Sequence, residues 1–271
     1  MDTKTFTDKC LNEYKAKLEL RRYSKNTRIN YVSSFVLHHF NVEIDTLQDK
    51  DICNYVLSEC KGKSNSHQNT LINAIKFYFE KVRYRKRKFY KIDRPKQTSK
   101  LPQVICHENV MKSITSISNI KHKAIVSIAY SVGLRVSEVT NLKVTDIDSK
   151  RMLIHVNGAK GDKDRIVPLS ENVLVLLREY YKQYRPKTYL FESYKEGTKY
   201  SVGSCQKIWQ KYKLDPESTF HTLRHSFATN LVEKNVSLRV IQELLGHKNS
   251  KTTEIYTHVS NSSLKKVPLP L

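Results

Sequence analysis

Five side chains spread along the second half of the sequence could do chemistry together. Arg224, His247 and Tyr256 follow one another in the run HTLRHSFATNLVEKNVSLRVIQELLGHKNSKTTEIYTH, Arg135 stands in SVGLRVSEVTNL, and Lys160 stands in AKGDKDRIVPL. They supply two guanidiniums, an imidazole, an ammonium and a phenol, a set that can break a phosphodiester without a metal.

The phenol is the hardest to use. At pH 7 only about one free tyrosine in a thousand is ionised, a deficit of roughly 4 kcal/mol. Neighbouring imidazoles can take or share its proton, and neighbouring cations favour the charged form. When an oxygen attacks a phosphodiester, negative charge gathers on the non-bridging oxygens. Arginine suits that charge because its planar fork donates two parallel bonds and stays protonated. Arg135 and Arg224 both sit among apolar residues (Val132, Leu134, Val136; Leu223, Phe227), a poor setting for solvated surface groups. Glu138, three residues beyond Arg135, is a candidate ion-pair partner that orients the set from behind. The departing sugar oxygen needs a proton, and Lys160 is placed to deliver it, with Lys163 as its local competitor.

His221 and His225 lie one helical turn apart, a spacing that also occurs in zinc sites. The metalloprotease pattern HExxH requires Glu where this chain has Thr222, which argues against a metal. His221 and Arg224 share a helix face and His221 is the site candidate; His225 equally fits a hydrogen-bonding core residue.

The elements that must position these groups follow from periodicity. Residues 6–82 read as four short helices, with breaks at 24–26, 41–45 and 61–66. Leu71, Ile75, Tyr78 and Val82 give the last of them one apolar face. Residues 81–100 hold ten Lys or Arg and one acid, interleaved with Tyr84, Phe89 and Tyr90 and broken by Pro95. This segment reads as a basic linker in which Arg85, Lys86, Arg87, Lys88 and Lys91 strap a phosphate backbone, rather than as a bare spacer. Beyond it a helix near 107–117 and the apolar AIVSIAYSVGL precede RMLIHV and DRIVPL, which pair as a β-hairpin with a polar tip carrying Lys160. Helices over 173–184, 201–212, 220–234, 237–245 and 250–258 complete the chain. The fold class is mainly α with a small β-hairpin or sheet (α+β), divided into a helical domain at 1–82, a linker at 83–100 and a catalytic domain at 101–271.

The totals agree. The 271 residues can bury two cores. Forty-eight Lys and Arg against 26 Asp and Glu leave a net charge of +22 and a pI near 9.7, so a polyanion, nucleic acid above all, is the expected partner. The basic residues are spread through the chain rather than placed on one amphipathic anchor, which argues against a membrane partner. The N-terminal MDTKTFTDKC lacks the apolar core of a signal peptide and no stretch approaches the length of a membrane span, so a cytoplasmic location is expected. Five scattered cysteines without a CxxC pair read as reduced thiols. No cofactor and no metal are expected.

Five segments in order, GLRVSE, KGDKDRIVPL, HTLRH, LLGH and TTEIYTH, resemble the tyrosine recombinase or phage integrase family, and most of all its compact Xer-type members. The resemblance spans nearly the whole chain, with SKNTRINYVSSF fitting the family's N-terminal DNA-gripping domain. It implies that Arg135 and Arg224 hold the scissile phosphate, that Lys160 protonates the leaving group, and that His221 exchanges a proton with the nucleophile. It further implies that His247 contacts a phosphate oxygen and that Tyr256 is the nucleophile.

The implied activity is site-specific recombination of double-stranded DNA through a 3′-phosphotyrosyl intermediate and a Holliday junction, by a homotetramer. Its uses would be integration and excision, inversion or dimer resolution. A related recombinase or accessory protein is a possible companion, and Leu264, Val267 and Leu269 in the tail would dock on a neighbouring protomer. The alternatives are a catalytically inactive DNA-binding protein of the same fold and a metal-dependent nuclease, for which Asp146 and Asp148 are a thin basis. Two departures from the family pattern are Ala159, where glycine commonly precedes the hairpin lysine, and Asn235, where glycine often ends the HxLRH helix. Asn tolerates the left-handed conformation such a cap requires.

Overall fold

The computed structural model describes residues 3–34, 48–84, 94–95, 101–158, 164–247 and 249–257. The chain divides into two compact units, Met1–Ser99 and Lys100–Leu271. Lys160, the linker residues Arg85, Lys86, Arg87, Lys88 and Lys91, and the tail residues Leu264, Val267 and Leu269 lie outside the described residues.

The first unit contains helices α1 (Thr3–Leu20), α2 (Lys25–Ser34), α3 (Asp49–Cys60) and α4 (Asn65–Phe77), the last continued by a π-helical turn at Tyr78–Val82. Ser64 caps α4 by accepting from the His67 N–H. Leu71, Ile75 and Tyr78 are all fully buried, as their spacing predicts. The Tyr14 hydroxyl donates to the Ala74 carbonyl at 3.0 Å, which satisfies a buried phenol and fixes α1 on α4. Arg94 donates to Asn69 and Asn73 of α4 at 2.9 Å each.

The second unit begins with α5 (His107–Thr115), α6 (Ile120–Ser131) and α7 (Val136–Asn141). A small antiparallel sheet follows, in the order β1 (Ile147–Asp148), β2 (Leu153–Val156), β3 (Arg165–Pro168). The predicted hairpin is β2 and β3, with Val156 opposite Arg165 and Ile154 opposite Val167. The added strand β1 is two residues long and exists only by pairing with β2, so it left no periodic signal. Then come α8 (Glu171–Tyr184), α9 (Val202–Tyr212), α10 (Phe220–Glu233), α11 (Leu238–Leu245) and α12 (Lys251–Glu254).

The apolar α6 runs through the core, with Ile125, Val126, Ile128 and Ala129 fully buried beside Tyr180 and Trp209. A second cluster of Ala228, Ile241, Leu245 and Tyr256 joins the last three helices. Asn235 ends α10 at φ +59°, the left-handed conformation expected of it. All five cysteines are free thiols. Among the described residues no helix is long and apolar enough to cross a membrane.

Candidate active site

Three local structures deliver the reactive groups. Between α6 and α7 the chain turns at Gly133 (φ +64°), and Arg135 becomes the residue that caps α7. The Arg135 N–H donates to Oε2 of Glu138 at 2.8 Å, so the same carboxylate that starts the helix stands behind the arginine. Helix α10 begins where Thr219 donates its N–H to the Thr222 hydroxyl at 3.0 Å. Thr222, the residue that breaks the zinc pattern, thus caps the helix that carries His221, Arg224 and His225. Helix α11 ends at Gly246 (φ +66°), a left-handed cap that reverses the chain and presents His247.

These pieces converge on Glu138, which is 3 % exposed. Its Oε1 accepts from Arg135 at 2.9 Å and from Arg165 at 2.8 Å, its Oε2 accepts from Arg165 at 2.9 Å, and Arg224 lies 3.9 Å from Oε2. Burial works against the charged carboxylate. The bonds and charge of Arg165, the Arg135 N–H and the Arg224 charge outweigh it and hold the group at about 2. Three guanidiniums around one carboxylate leave the pocket with two excess positive charges, the setting for an anion.

The three arginines differ in access, with side-chain exposures of 28 % for Arg135, 7 % for Arg165 and 1 % for Arg224. Arg135 is therefore the most accessible of the three. Arg224 donates Nη1 to the Gly133 carbonyl at 2.7 Å and Nη2 to the Leu245 carbonyl at 2.5 Å, which ties the α6–α7 turn to the end of α11. Burial and the Arg135 charge lower it to about 10, still protonated at any physiological pH.

Tyr256 lies in the turn after α12 and is 1 % exposed. Its hydroxyl is 3.0 Å from Nδ1 of His225, and its ring stacks at 6.4 Å against His247. His247 shares a hydrogen bond with buried Thr253 at 2.9 Å through its own Nδ1. Burial, with the charge of His221 and then Arg224, holds His225 at about 4; burial, with the charges of Arg224 and Arg135 foremost, holds His247 at about 4. Both rings are neutral at pH 7, and neutral His225 can accept the phenol's proton. The Tyr256 hydroxyl is raised above its ordinary value, because burial outweighs the charges of Arg224 and Arg135. Cations do favour the phenolate here, as their types imply, but burial wins.

One expectation changes. The histidine at the phenol is His225, while His221 stands one ring further out, exposed and edge-on to His225 at 4.6 Å between centroids. The two are one helical turn apart, and the packing of Tyr256 with Ala228, Ile241 and Leu245 decides which meets the phenol. A further residue of the site is Arg165, in the hairpin segment DRIVPL. Its signal was the strand's period of two, which puts Arg165 on the same face as buried Val167 while Ile166 faces out. An arginine on an inward strand face needs a partner. Asp146 and Asp148 serve local turns, accepting from the N–H groups of Lys143 and of Lys150 and Arg151. Among the described residues no group of three or more His, Cys, Asp or Glu is arranged to hold a metal ion.

The comparisons with known proteins agree with one another. The phage integrase family model matches residues 103–263, and the phage integrase N-terminal SAM-like domain matches residues 10–88. The chain is 35 % identical over 263 residues to the tyrosine recombinase XerA of Pyrococcus horikoshii, covering 94 % of this chain and 91 % of that one. It is 33 % identical over 244 residues to the tyrosine recombinase XerD of Listeria innocua, covering 82 % of each. Among solved structures it is similar to the XerH site-specific recombinase bound to a palindromic difH substrate in a post-cleavage complex. That match has a TM-score of 0.73 and 25 % identity, over 98 % of this chain and 88 % of that one. A lambda integrase tetramer bound to a Holliday junction shares the fold, with a TM-score of 0.75 at 17 % identity, over 92 % and 76 % of the two chains.

Proposed function

The chain belongs to the phage integrase family and is a site-specific tyrosine recombinase of the Xer type, and we propose that Tyr256 is the nucleophile with which it cuts DNA. The observation that carries this reading is the 3.0 Å contact between the Tyr256 hydroxyl and a neutral imidazole, beside an anion pocket built on Glu138. In the reaction the phenol oxygen attacks phosphorus, the bond from phosphorus to the 5′ oxygen breaks, and a 3′-phosphotyrosyl ester remains.

Arg135 and Arg224 hold the non-bridging oxygens, and His247 adds a contact to one of them. The phenol's proton goes to His225 and is exchanged outward at His221, whose exposed edge meets water. Lys160 protonates the departing 5′ oxygen. The 5′-hydroxyl of another strand then attacks the phosphotyrosine, displaces the phenol oxygen and restores a phosphodiester. One ester replaces another in each step, so the bond energy is conserved and the reaction runs in both directions. A phenol that is 1 % exposed must turn out of its contact with His225 to reach phosphorus.

Two exchanges, paired through a Holliday junction, require four active sites, and we assign them to a homotetramer on two DNA sites. The XerH complex on its difH substrate and the lambda integrase tetramer on a Holliday junction support that assembly. A genomic DNA substrate and five free thiols support a cytoplasmic location. The basic segment that includes Arg85, Lys86, Arg87, Lys88 and Lys91 is assigned to the phosphate backbone on its charge. Replacing Arg85, Lys86, Arg87 and Lys88 by glutamine is expected to flatten the dependence of DNA affinity on salt.

The test is covalent capture. A library of nicked duplexes with randomised cores is incubated with the protein in chelator, and bound strands are recovered after denaturation. Wild type is expected to retain a family of related duplexes, and Tyr256→Phe to retain none while still binding them. An adduct formed by Tyr256→Phe overturns the assignment, and loss of the wild-type adduct in chelator overturns the metal-free mechanism.

A further inference from the structure

Arg165 contacts the centre of the site, and the reaction above gives it no role. It is the first residue of β3. It donates Nη1 and Nη2 to the two oxygens of Glu138 at 2.8 and 2.9 Å, and Nε to the Leu244 carbonyl in the last turn of α11 at 2.7 Å. Three nitrogens of one guanidinium therefore bond three acceptors on two other elements, and the side chain is 7 % exposed. Its outer side lies against the turn that delivers His247: a methyl group on Gly246 would stand 3.2 Å from both Cδ and Nη1 of Arg165. Lys160 precedes Arg165 by five residues in the same hairpin sequence.

We propose that Arg165 is a positioning residue for DNA strand cleavage, one that locks Glu138 so that Glu138 aims Arg135, and that ties strand β3 to the helix end presenting His247. The proposal rests on the reading of Tyr256 as nucleophile and Arg135 as phosphate contact. Arg165 is assigned behind the phosphate rather than to it, since its fork is paired with a carboxylate that already neutralises it, whereas Arg224 donates only to neutral carbonyls and keeps its charge for an anion. A bidentate Arg–carboxylate pair fixes both partners in one plane, and the same carboxylate oxygens then hold the backbone and the guanidinium of Arg135. Lysine keeps the charge but cannot make three bonds in these directions, so Arg165→Lys is not a conservative change here.

Loss of the clamp has a signature that simple loosening of the fold lacks. Glu138 faces Arg135 on its own helix, Arg165 from β3, and Arg224 and, further out, His221 from α10. Without Arg165 the buried carboxylate loses the partner that does most to keep it charged, so it takes up a proton at higher pH and lets go of Arg135. The cleavage rate then gains an acid limb that belongs to Glu138.

The experiment measures single-turnover cleavage of a captured nicked duplex at saturating protein, from roughly pH 8 to pH 5. It compares wild type, Arg165→Met, Arg165→Lys, Glu138→Gln and the double variant Arg165→Met/Glu138→Gln. Both Arg165 variants are expected to slow cleavage by about 10- to 100-fold, a range typical of groups that orient site residues from behind, with duplex affinity nearly unchanged. Arg165→Met is expected to show the acid limb and the double variant to lack it. The double is also expected to be no slower than the slower single, because both changes break one linkage.

Cleavage by Arg165→Met at the wild-type rate, penalties that multiply in the double, or an acid limb that persists without the Glu138 carboxylate each overturns the proposal. If Arg165→Met does not fold, Arg165→Lys and the double, which buries no unpaired carboxylate, decide it on the same readouts. A wild-type protein that forms no adduct, or an adduct independent of Tyr256, removes the nucleophile reading and the clamp with it. A Tyr256-dependent adduct formed equally well by Arg165→Met removes the clamp alone.

Discussion

The two halves of the site are built on opposite principles. Around Glu138 the groups are charged, and the carboxylate ties Arg135 and Arg165 together while Arg224 lies close by. Around Tyr256 the groups are neutral at pH 7, and the phenol's hydroxyl is held by a single imidazole at 3.0 Å. On the proposed reaction the arginines of the anion half are held in place before a phosphate arrives, and their dipoles need little reorganisation when charge builds up. The nucleophile half holds its phenol protonated and covered. If Tyr256 is the nucleophile, the difference puts the demand on the tyrosine, which must give up a proton and move, rather than on the grip of the phosphate.

If that contrast is right, removing one group from each half gives opposite signatures. The largest effect is expected from Glu138→Ala, which leaves three buried or half-buried guanidiniums without their carboxylate. Breaking such a pair typically costs about 3–5 kcal/mol, read as a fall in the denaturant midpoint. His225→Phe keeps the ring's volume and removes one neutral hydrogen bond, so stability should change by about 1 kcal/mol. Its cleavage rate should fall by about 10² or more, since it loses the acceptor for the phenol's proton. A His225→Phe protein that is badly destabilised, or a Glu138→Ala protein of wild-type midpoint, breaks the contrast.

A second effect separates the halves by pH. His225 and His247 are held at about 4, against 6.5 for a free ring, so the unfolded chain takes up protons first as pH falls. Their contribution is full above 6.5 and is lost as pH drops toward 4, at no more than about 1.4 kcal/mol per unit and per ring. Glu138 is held at about 2, against 4.5, so its contribution is full above 4.5 and is lost as pH drops toward 2. The melting temperature should therefore fall in two stages. His225→Phe should flatten the upper stage and Glu138→Gln the lower one. A single acid transition below pH 4.5 in the wild type would show that the histidines are not held neutral.

The same contrast explains what was legible in the sequence. Arg135, Arg224, His247 and Tyr256 could be picked out because each lies in a compact run whose chemistry fits the others. The helices that mount them follow from apolar spacing and capping residues, as at Asn235. Relations set by packing were not legible. Whether His221 or His225 meets the phenol depends on how the turn carrying Tyr256 packs against α10 and α11. Whether cations win over burial at Tyr256 depends on its contact with Ala228, Ile241 and Leu245. Arg165 lies between these cases. The alternation of β3 marks it as inward-facing, but its partner Glu138 lies 27 residues away on another element and carries no local signal.

The smallest expected effect tests how rigid the join between the halves is. Gly246 sits at φ +66°, where an L-residue is strained by roughly 1–2 kcal/mol, and a methyl group there would press on the Arg165 side chain at 3.2 Å. Gly246→Ala should therefore lower stability by about that amount, since the long Arg165 side chain can yield by a few tenths of an ångström. Yielding is not free for catalysis, because Arg165 can move only by dragging Glu138 or the Leu244 carbonyl with it. The cleavage rate should consequently fall more than the small change in stability implies, and the change should be masked in an Arg165→Met background, where the side chain it collides with is gone. A rate that tracks stability alone, or the same fractional loss with and without Arg165, would mean that the turn before His247 and the arginine cluster are neighbours without being coupled.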